Sequence, residues 1–373
     1  MSELNQIQNH CQQRRQRLRE VIRREEVDAF LVTGEKNVRY LTDFSGDSTY
    51  LFISESNEVL ISDFRYTTQL AEECPGIDTF IRTSKTTLID ATKEVVADNS
   101  GVKRVGVESH LVSAELLTSM TNALEGTELV QLSWEIERLR AVKDDLEIAE
   151  IREAVRLAER GFQFLQAILT PEATELELSF ELEHAVRKFG GAGLSFHPIL
   201  AVGDRAALPH YRPSANKLSG SPILLCDWGA QTRAGYKSDL TRTMLTAPFE
   251  AKFEQVYKTV LEAQLRAIAE IGPGKSCQKI DAAARDYIRE QGFGDYFDHG
   301  LGHGIGLDIH ELPRLSQSSD GLLEPGMVVT VEPGIYLPGW GGVRIEDDVL
   351  VTENGCEVLS SVPKDWETVS VTI

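Results

Sequence analysis

Leu224-Leu-Cys-Asp-Trp-Gly-Ala-Gln-Thr-Arg-Ala-Gly-Tyr-Lys-Ser-Asp-Leu-Thr-Arg-Thr243 begins as an apolar run, crosses a polar, glycine-containing turn and returns as a second run. The pattern predicts a β-hairpin. Strand side chains alternate between faces, so the return strand places Asp239, Thr241 and Thr243 on one side, while the outgoing strand ends near Asp227. Such a hairpin can bring two carboxylates onto one face. An aspartate at a strand end is ordinarily a turn residue, which accounts for either aspartate alone better than for both.

A second segment repeats the logic with glutamates. Met327-Val-Val-Thr-Val-Glu332 is followed by Pro333-Gly334, a glycine-rich loop and Gly342-Val-Arg-Ile-Glu-Asp-Asp-Val-Leu350. Glu332 and Glu346 end or interrupt β-branched runs, where a carboxylate is costly unless it is paired or bound to a metal. Between the two hairpins lies Asp298-His-Gly-Leu-Gly-His-Gly-Ile-Gly-Leu-Asp-Ile-His-Glu-Leu-Pro313, with three of the chain's eight histidines. His299 and His303 have helical spacing, but Gly300, Gly302, Gly304 and Gly306 argue for a loop entering a strand. A lone histidine is usually structural; His299, His303 and His310 among glycines point to a site. His210, after Pro209, means little by itself.

Four carboxylates converging on one pocket would repel, each close pair by roughly 4 kcal/mol at 4 Å and an effective dielectric of 20. Divalent cations relieve that repulsion. An oxygen-rich donor set with one imidazole favours manganese, cobalt, iron or zinc over a soft metal. Two such ions can hold a bridging water as hydroxide and polarise a carbonyl.

The rest of the chain is consistent with a soluble two-domain protein. It has 373 residues, 42% hydrophobic and 26% charged, with a net charge of -20, and that acidity argues against nucleic acid and anionic membranes as partners. The first 28 residues lack an apolar run of signal-peptide length, and nothing reaches membrane-spanning length. Five scattered cysteines without a CxxC pair read as free thiols, and a cytoplasmic location is expected. Up to about Arg140 helices and strands alternate, including a basic helical stretch at Arg14–Arg24 and a hairpin formed by Tyr50–Ser54 and Glu58–Ser62. Ser133–Asp145 is charged and reads as a linker. Helices are expected at Leu146–Leu169, at Thr174–Phe189 with a Thr-x-x-Glu capping box, at Ala251–Ile271 and at Gln278–Gln291.

The segments Asp227-Trp-Gly, Ser238-Asp-Leu-Thr-Arg-Thr243, Gly302-His-Gly-Ile-Gly306, Val331-Glu-Pro-Gly334 and Val343-Arg-Ile-Glu-Asp347 resemble motifs of the pita-bread metallopeptidases: methionine aminopeptidase, aminopeptidase P, prolidase and creatinase. The resemblance covers essentially the whole chain. Lys36-Asn-Val-Arg-Tyr-Leu-Thr-Asp-Phe-Ser-Gly46 and Asp63-Phe-Arg-Tyr66 resemble the creatinase-type amino-terminal domain of aminopeptidase P and prolidase. The resemblance implies an α/β architecture, with a small creatinase-type domain over residues 1–135 and an α+β pita-bread catalytic domain over 136–373.

It also implies roles. Asp227 would hold one metal, Asp239 and Glu346 would bridge both, and His303 and Glu332 would complete the other shell, with Glu332 as general base. His210 matches a histidine that assists proton transfer, and His310 one that contacts the scissile carbonyl. His299 matches a substrate-pocket histidine of proline-specific members, and Arg344 an arginine near the substrate and the bridging glutamate. Two divalent ions, manganese first and cobalt or zinc as alternatives, would serve a homodimer acting on short peptides. The main expectation is an Xaa-Pro aminopeptidase. The alternatives are an Xaa-Pro dipeptidase, a creatinase-like or lyase relative, and a non-catalytic binding module. Arg314 and Arg344 are the candidates to clamp a dipeptide's carboxylate. Two departures stand out: the segment between Asp227 and Asp239 is one residue longer than the family pattern, and His197-Pro198 replaces a more usual polar pair.

Overall fold

The computed structural model describes residues 3–373, and the chain divides after Arg140 into two compact units. The first contains α1 (Glu3–Arg24), β1 (Ala29–Val32), α2 (Glu35–Thr42), β2 (Tyr50–Ser54), β3 (Glu58–Asp63), α3 (Thr67–Glu73), β4 (Asp78–Arg82), α4 (Leu88–Asp98), β5 (Arg104–Glu108), α5 (Ala114–Ala123) and β6 (Glu128–Leu132). The strands form one mixed sheet in the order β4-β3-β2-β1-β5-β6. The expected hairpin is the antiparallel β2–β3 pair, and the parallel pairs β3–β4 and β5–β6 are each connected through a helix. Ala29, Leu31, Phe52, Ile61, Val105 and Val107 supply its apolar centre. The basic stretch of α1 is not all surface: Arg14 and Arg15 are buried and donate to the carbonyls of Tyr40 and Leu41 (2.9 and 2.8 Å), satisfying the open end of α2.

Ser133–Asp145 is not a loop. Its centre forms α6 (Glu135–Ala141), which starts where the domain boundary was expected and runs across the division after Arg140. Acidic residues early and basic residues late suit a short helix as well as they suit a linker, with Glu135 and Glu137 in its first turn and Arg138 and Arg140 in its last, although Glu135, Glu137 and Arg140 are buried.

The second unit comprises α7 (Asp145–Ala167), α8 (Glu175–Lys188), β7 (Gly193–Leu194), β8 (Ile199–Val202), β9 (Ile223–Trp228), β10 (Ala230–Gln231), β11 (Leu240–Leu245), α9 (Ala251–Ala269), α10 (Cys277–Glu290), β12 (Gly302–Gly304), β13 (Glu311–Leu315), β14 (Val328–Val331), β15 (Gly334–Leu337), β16 (Gly341–Arg344), β17 (Asp347–Thr352) and β18 (Gly355–Val358). Capping boxes start α7 at Asp144–Glu147 and α8 at Thr174–Glu177. The sheets have orders β11-β9-β8 and β13-β12-β14-β17-β18, with β15–β16 as a separate ribbon.

Strand β9 is buried on both faces, and its alternation sorts the site from the core. Leu224, Cys226 and Trp228 join one apolar cluster with Phe162 and Leu182, while Ile223 and Leu225 join the other with Val329 and Val343. Asp227 therefore shares the face of Ile223 and Leu225. Trp228 anchors the opposite face: its ring stacks on Phe162 at 4.2 Å and its Nε1 donates to the Ala158 carbonyl at 2.9 Å.

Candidate metal centre

In the β9–β11 hairpin Asp227 pairs with Thr241 and Leu240 with Trp228, so Asp239 lies diagonally across from Asp227 on the same face. The turn between them is closed by a hydrogen bond from Thr232 N–H to the Tyr236 carbonyl, and Gly235 sits at φ 92°. The glutamates come from a ladder broken in the middle. The register that pairs Val331 with Asp347 continues as Gly334 with Arg344, which sets Glu332 opposite Glu346 within the break. Pro333 has no N–H to give that ladder. Glu346 turns instead to the first hairpin: its N–H donates to the Thr241 carbonyl (3.1 Å), and its Oε2 accepts from the Thr241 hydroxyl (2.6 Å).

His303 occupies the middle of β12. A Cβ on Gly302 would lie 2.0 Å from the Thr330 carbonyl oxygen, and one on Gly304 2.1 Å from that of Leu312. Only glycines let this strand pass so close to its neighbours. His303 Nδ1 lies 3.0 Å from the Gly304 carbonyl, which assigns its proton there and leaves the Nε2 lone pair facing Glu332 Oε1 at 3.3 Å and Asp239 Oδ2 at 3.7 Å. Acceptors facing a lone pair need a proton or a cation between them.

Other observations point the same way. Ligand atoms of Asp239, His303 and Glu346 all lie within 4.8 Å of one another. Asp227 Oδ1 and Glu346 Oε1 are buried and have no hydrogen-bond partner among the described residues, an expensive state for a carboxylate oxygen. Burial raises the Asp239, Glu346 and Asp227 carboxyls above their ordinary range, and mutual repulsion raises the first two further, while Arg344 partly offsets the shift on Asp227. Burial pushes Glu332 up to about 8. It also drives His303 down to about 3 and lowers His310, so both imidazoles are neutral. This donor set of carboxylates and one neutral imidazole fits divalent cations.

The nine residues singled out from the sequence (His210, Asp227, Asp239, His299, His303, His310, Glu332, Arg344 and Glu346) all line one cavity of about 520 Å³. His310 meets His303 edge to face at 4.4 Å. Arg344 pairs with Asp227, donates from Nε to Thr241 Oγ1 (3.1 Å) and from Nη1 to the Tyr336 hydroxyl (2.7 Å). The Tyr336 proton is then directed at His299 Nε2, 3.0 Å away, and His299 donates from Nδ1 to the Gly300 carbonyl at 2.8 Å. Burial lowers His299 to about 4, so it too is neutral. Tyr336 was missed in the sequence. Its position two residues after Gly334 reads as hairpin filler, and only the fold reveals that its hydroxyl joins Arg344 to His299. Thr330 was missed as well; its hydroxyl accepts from His303 N (3.1 Å) and donates to Glu332 Oε1 (3.2 Å). His197, Arg212 and Arg314 also line the cavity.

Residues 149–353 match the model of metallopeptidase family M24, and residues 14–142 match the creatinase/prolidase N-terminal domain. The chain belongs to metallopeptidase family M24 and is an enzyme with the two-domain creatinase/pita-bread architecture. Among its relatives, an Xaa-Pro dipeptidase of Pyrococcus horikoshii is 33% identical, over 91% of this chain and 94% of its own length. The structure of an Xaa-Pro dipeptidase from Bacillus anthracis superposes with a TM-score of 0.91 at 38% identity, covering 95% of this chain and 99% of the other. An X-Pro aminopeptidase from Thermotoga maritima superposes with a TM-score of 0.86 at 34% identity, covering 93% and 98%.

Proposed function

We propose that the chain is a two-metal Xaa-Pro peptidase and that its preferred substrates are Xaa-Pro dipeptides. The observation that carries this reading is the donor set: buried carboxylate oxygens and a neutral imidazole lone pair aimed at one another in a cavity lined by four further histidines. In this reading Asp227, Asp239, His303, Glu332 and Glu346 hold two divalent ions, manganese first among them. When bound, the ions supply a hydroxide at neutral pH and polarise the scissile carbonyl. Glu332 serves as general base and takes the proton released by the attacking water. His310 donates to the developing oxyanion, and His210 passes a proton to the departing amine. His299 walls the site of the proline ring, and Arg344 fixes Asp227.

The sequence-based expectation favoured an aminopeptidase. Two observations favour the dipeptidase. The relatives named above include Xaa-Pro dipeptidases from two organisms. Of the two arginines singled out from the sequence as clamps for a substrate carboxylate, Arg344 is engaged by Asp227, Thr241 and Tyr336, whereas the cavity is also lined by the exposed Arg212. Arg314 lines the cavity exposed, without an ion-pair partner among the described residues, on the strand that follows His310. The Thermotoga maritima neighbour keeps the aminopeptidase as the second reading. Ala-Pro and Ala-Pro-Ala assayed side by side with manganese decide between them. The dipeptidase reading expects turnover of Ala-Pro that Arg314→Met weakens mainly through KM; turnover of the tripeptide alone would overturn it. We also propose a cytoplasmic homodimer; the five cysteines are free thiols, and no described helix is long and apolar enough to cross a membrane.

A further inference from the structure

His299 lies on an extended segment, 297–301, that leads into β12 and is held from one side by helix α10. Asp281 and Arg285, one helical turn apart on α10, are both buried and form a two-pronged ion pair: Arg285 Nε to Asp281 Oδ2 and Nη2 to Oδ1, each at 2.7 Å. Their remaining hydrogen-bonding capacity is spent on the segment. Arg285 Nη1 donates to the Phe297 carbonyl (2.9 Å), Nη2 to the His299 carbonyl (2.7 Å), and Asp281 Oδ1 accepts from Leu301 N–H (3.1 Å). The contacts fall on every second residue, the repeat of an extended chain. The guanidinium also lies 4.3 Å from the Phe297 ring centroid, and that ring meets the His299 imidazole edge-on at 5.0 Å.

The pair thus grips both the backbone of His299 and the ring that backs its side chain. The same segment is joined to the metal centre, because Glu332 N–H donates to the Leu301 carbonyl at 2.8 Å. The pair fixes three alternate backbone positions, at Phe297, His299 and Leu301, around a single cavity-lining histidine. We propose that Asp281 and Arg285 are positioning residues that set His299 against the substrate, and thereby determine the selectivity for proline after the scissile bond. The proposal rests on the proline-peptidase reading above. Displacing the segment would move His299 away from Tyr336 without removing any group from the metal centre. A mispositioned wall costs most for the rigid ring that it fits and little for a small side chain that it does not.

The test compares Ala-Pro with Ala-Ala as substrates of the manganese-loaded full-length enzyme and its Arg285→Lys variant. Lysine keeps a charge for Asp281 but lacks the planar fork needed to reach both carbonyls. The expected result is unchanged manganese content and a ratio of kcat/KM for Ala-Pro over Ala-Ala that falls roughly 10- to 100-fold, the scale of a small misplacement. Activity lost in equal proportion on both substrates, or an unchanged ratio, overturns the proposal. If Arg285→Lys does not fold, Phe297→Leu replaces it: this change removes the ring behind His299 and leaves the ion pair, so the ratio should again fall, and an unaltered ratio overturns the proposal. A wild-type enzyme that turns over neither substrate, or does not prefer Ala-Pro, refutes the proline-peptidase reading itself and the selectivity proposal with it. A normal wild-type preference combined with an unchanged variant ratio refutes the positioning role alone.

Discussion

Asp239 is the residue on which the charge balance of the site turns. Its carboxylate faces the His303 lone pair, lies among Asp227, Glu332 and Glu346, and is anchored through its own N–H to Asp348 at 3.0 Å. Asp239→Asn keeps the shape and that anchor but removes a negative ligand. Activity should fall below detection while the far-UV circular dichroism stays that of the wild type; turnover near normal would contradict its role. His310 stands at the other side of the chemistry. His310→Ala should lower kcat by about 10²- to 10³-fold, the usual cost of losing one oxyanion donor, with KM little changed. A rise in KM alone, seen in steady-state kinetics, would place His310 in substrate binding instead. Both residues were legible in the sequence, because a carboxylate ending an apolar run and histidines set among glycines are costly patterns. Tyr336 and the Asp281–Arg285 pair were not. A tyrosine in a strand and an i,i+4 acid–base pair on a helix are ordinary, and their function depends on what the fold brings against them.

The two hairpins are the elements that build the site, and each was visible as alternating or β-branched runs. Their joint was not: Thr241 links Glu346 to β11, and no local pattern announces a contact between residues so distant in the chain. Strand β4 escaped prediction for the opposite reason, since Asp78-Thr-Phe-Ile-Arg82 is a partly exposed edge strand without a clear alternation. The hairpins also predict a pH dependence. Without metal, the folded state holds Glu332 protonated up to about pH 8, against an ordinary value of 4.5. The folded state therefore binds more protons than the unfolded chain over that window, and stability falls as pH rises through it. Metal-free protein should have a lower melting temperature at about pH 8 than at about pH 5. The difference is on the order of a few kcal/mol, moderated because the Glu332 side chain keeps 19% of its surface exposed. Manganese replaces the protons and should reverse the trend. A metal-free melting temperature that climbs with pH, followed by calorimetry, would show that burial does not hold Glu332 protonated.

Over the whole molecule, two domains could be read from the length of the chain and its charged middle segment, and the alternation of helices and strands in the first from its short apolar runs. The helix α6 was not legible there, because its sequence is as charged as a linker. Two buried apolar clusters lie in the second unit. Trp228, fully buried against Phe162, should cost about 3–5 kcal/mol when truncated to alanine, measured by chemical denaturation of the metal-free protein. Metal should act on the same equilibrium. A divalent ion at a hundredfold excess over its Kd should add about 2.7 kcal/mol to the stability, and chelation should remove it. Light scattering should give about twice the 41.4 kDa chain mass if the homodimer proposal holds. The most direct test is an anomalous difference map from crystals grown with manganese. Two peaks should appear among Asp227, Asp239, His303, Glu332 and Glu346. A map with no density there, from protein that binds manganese elsewhere or not at all, would contradict the metal centre on which the catalytic account depends.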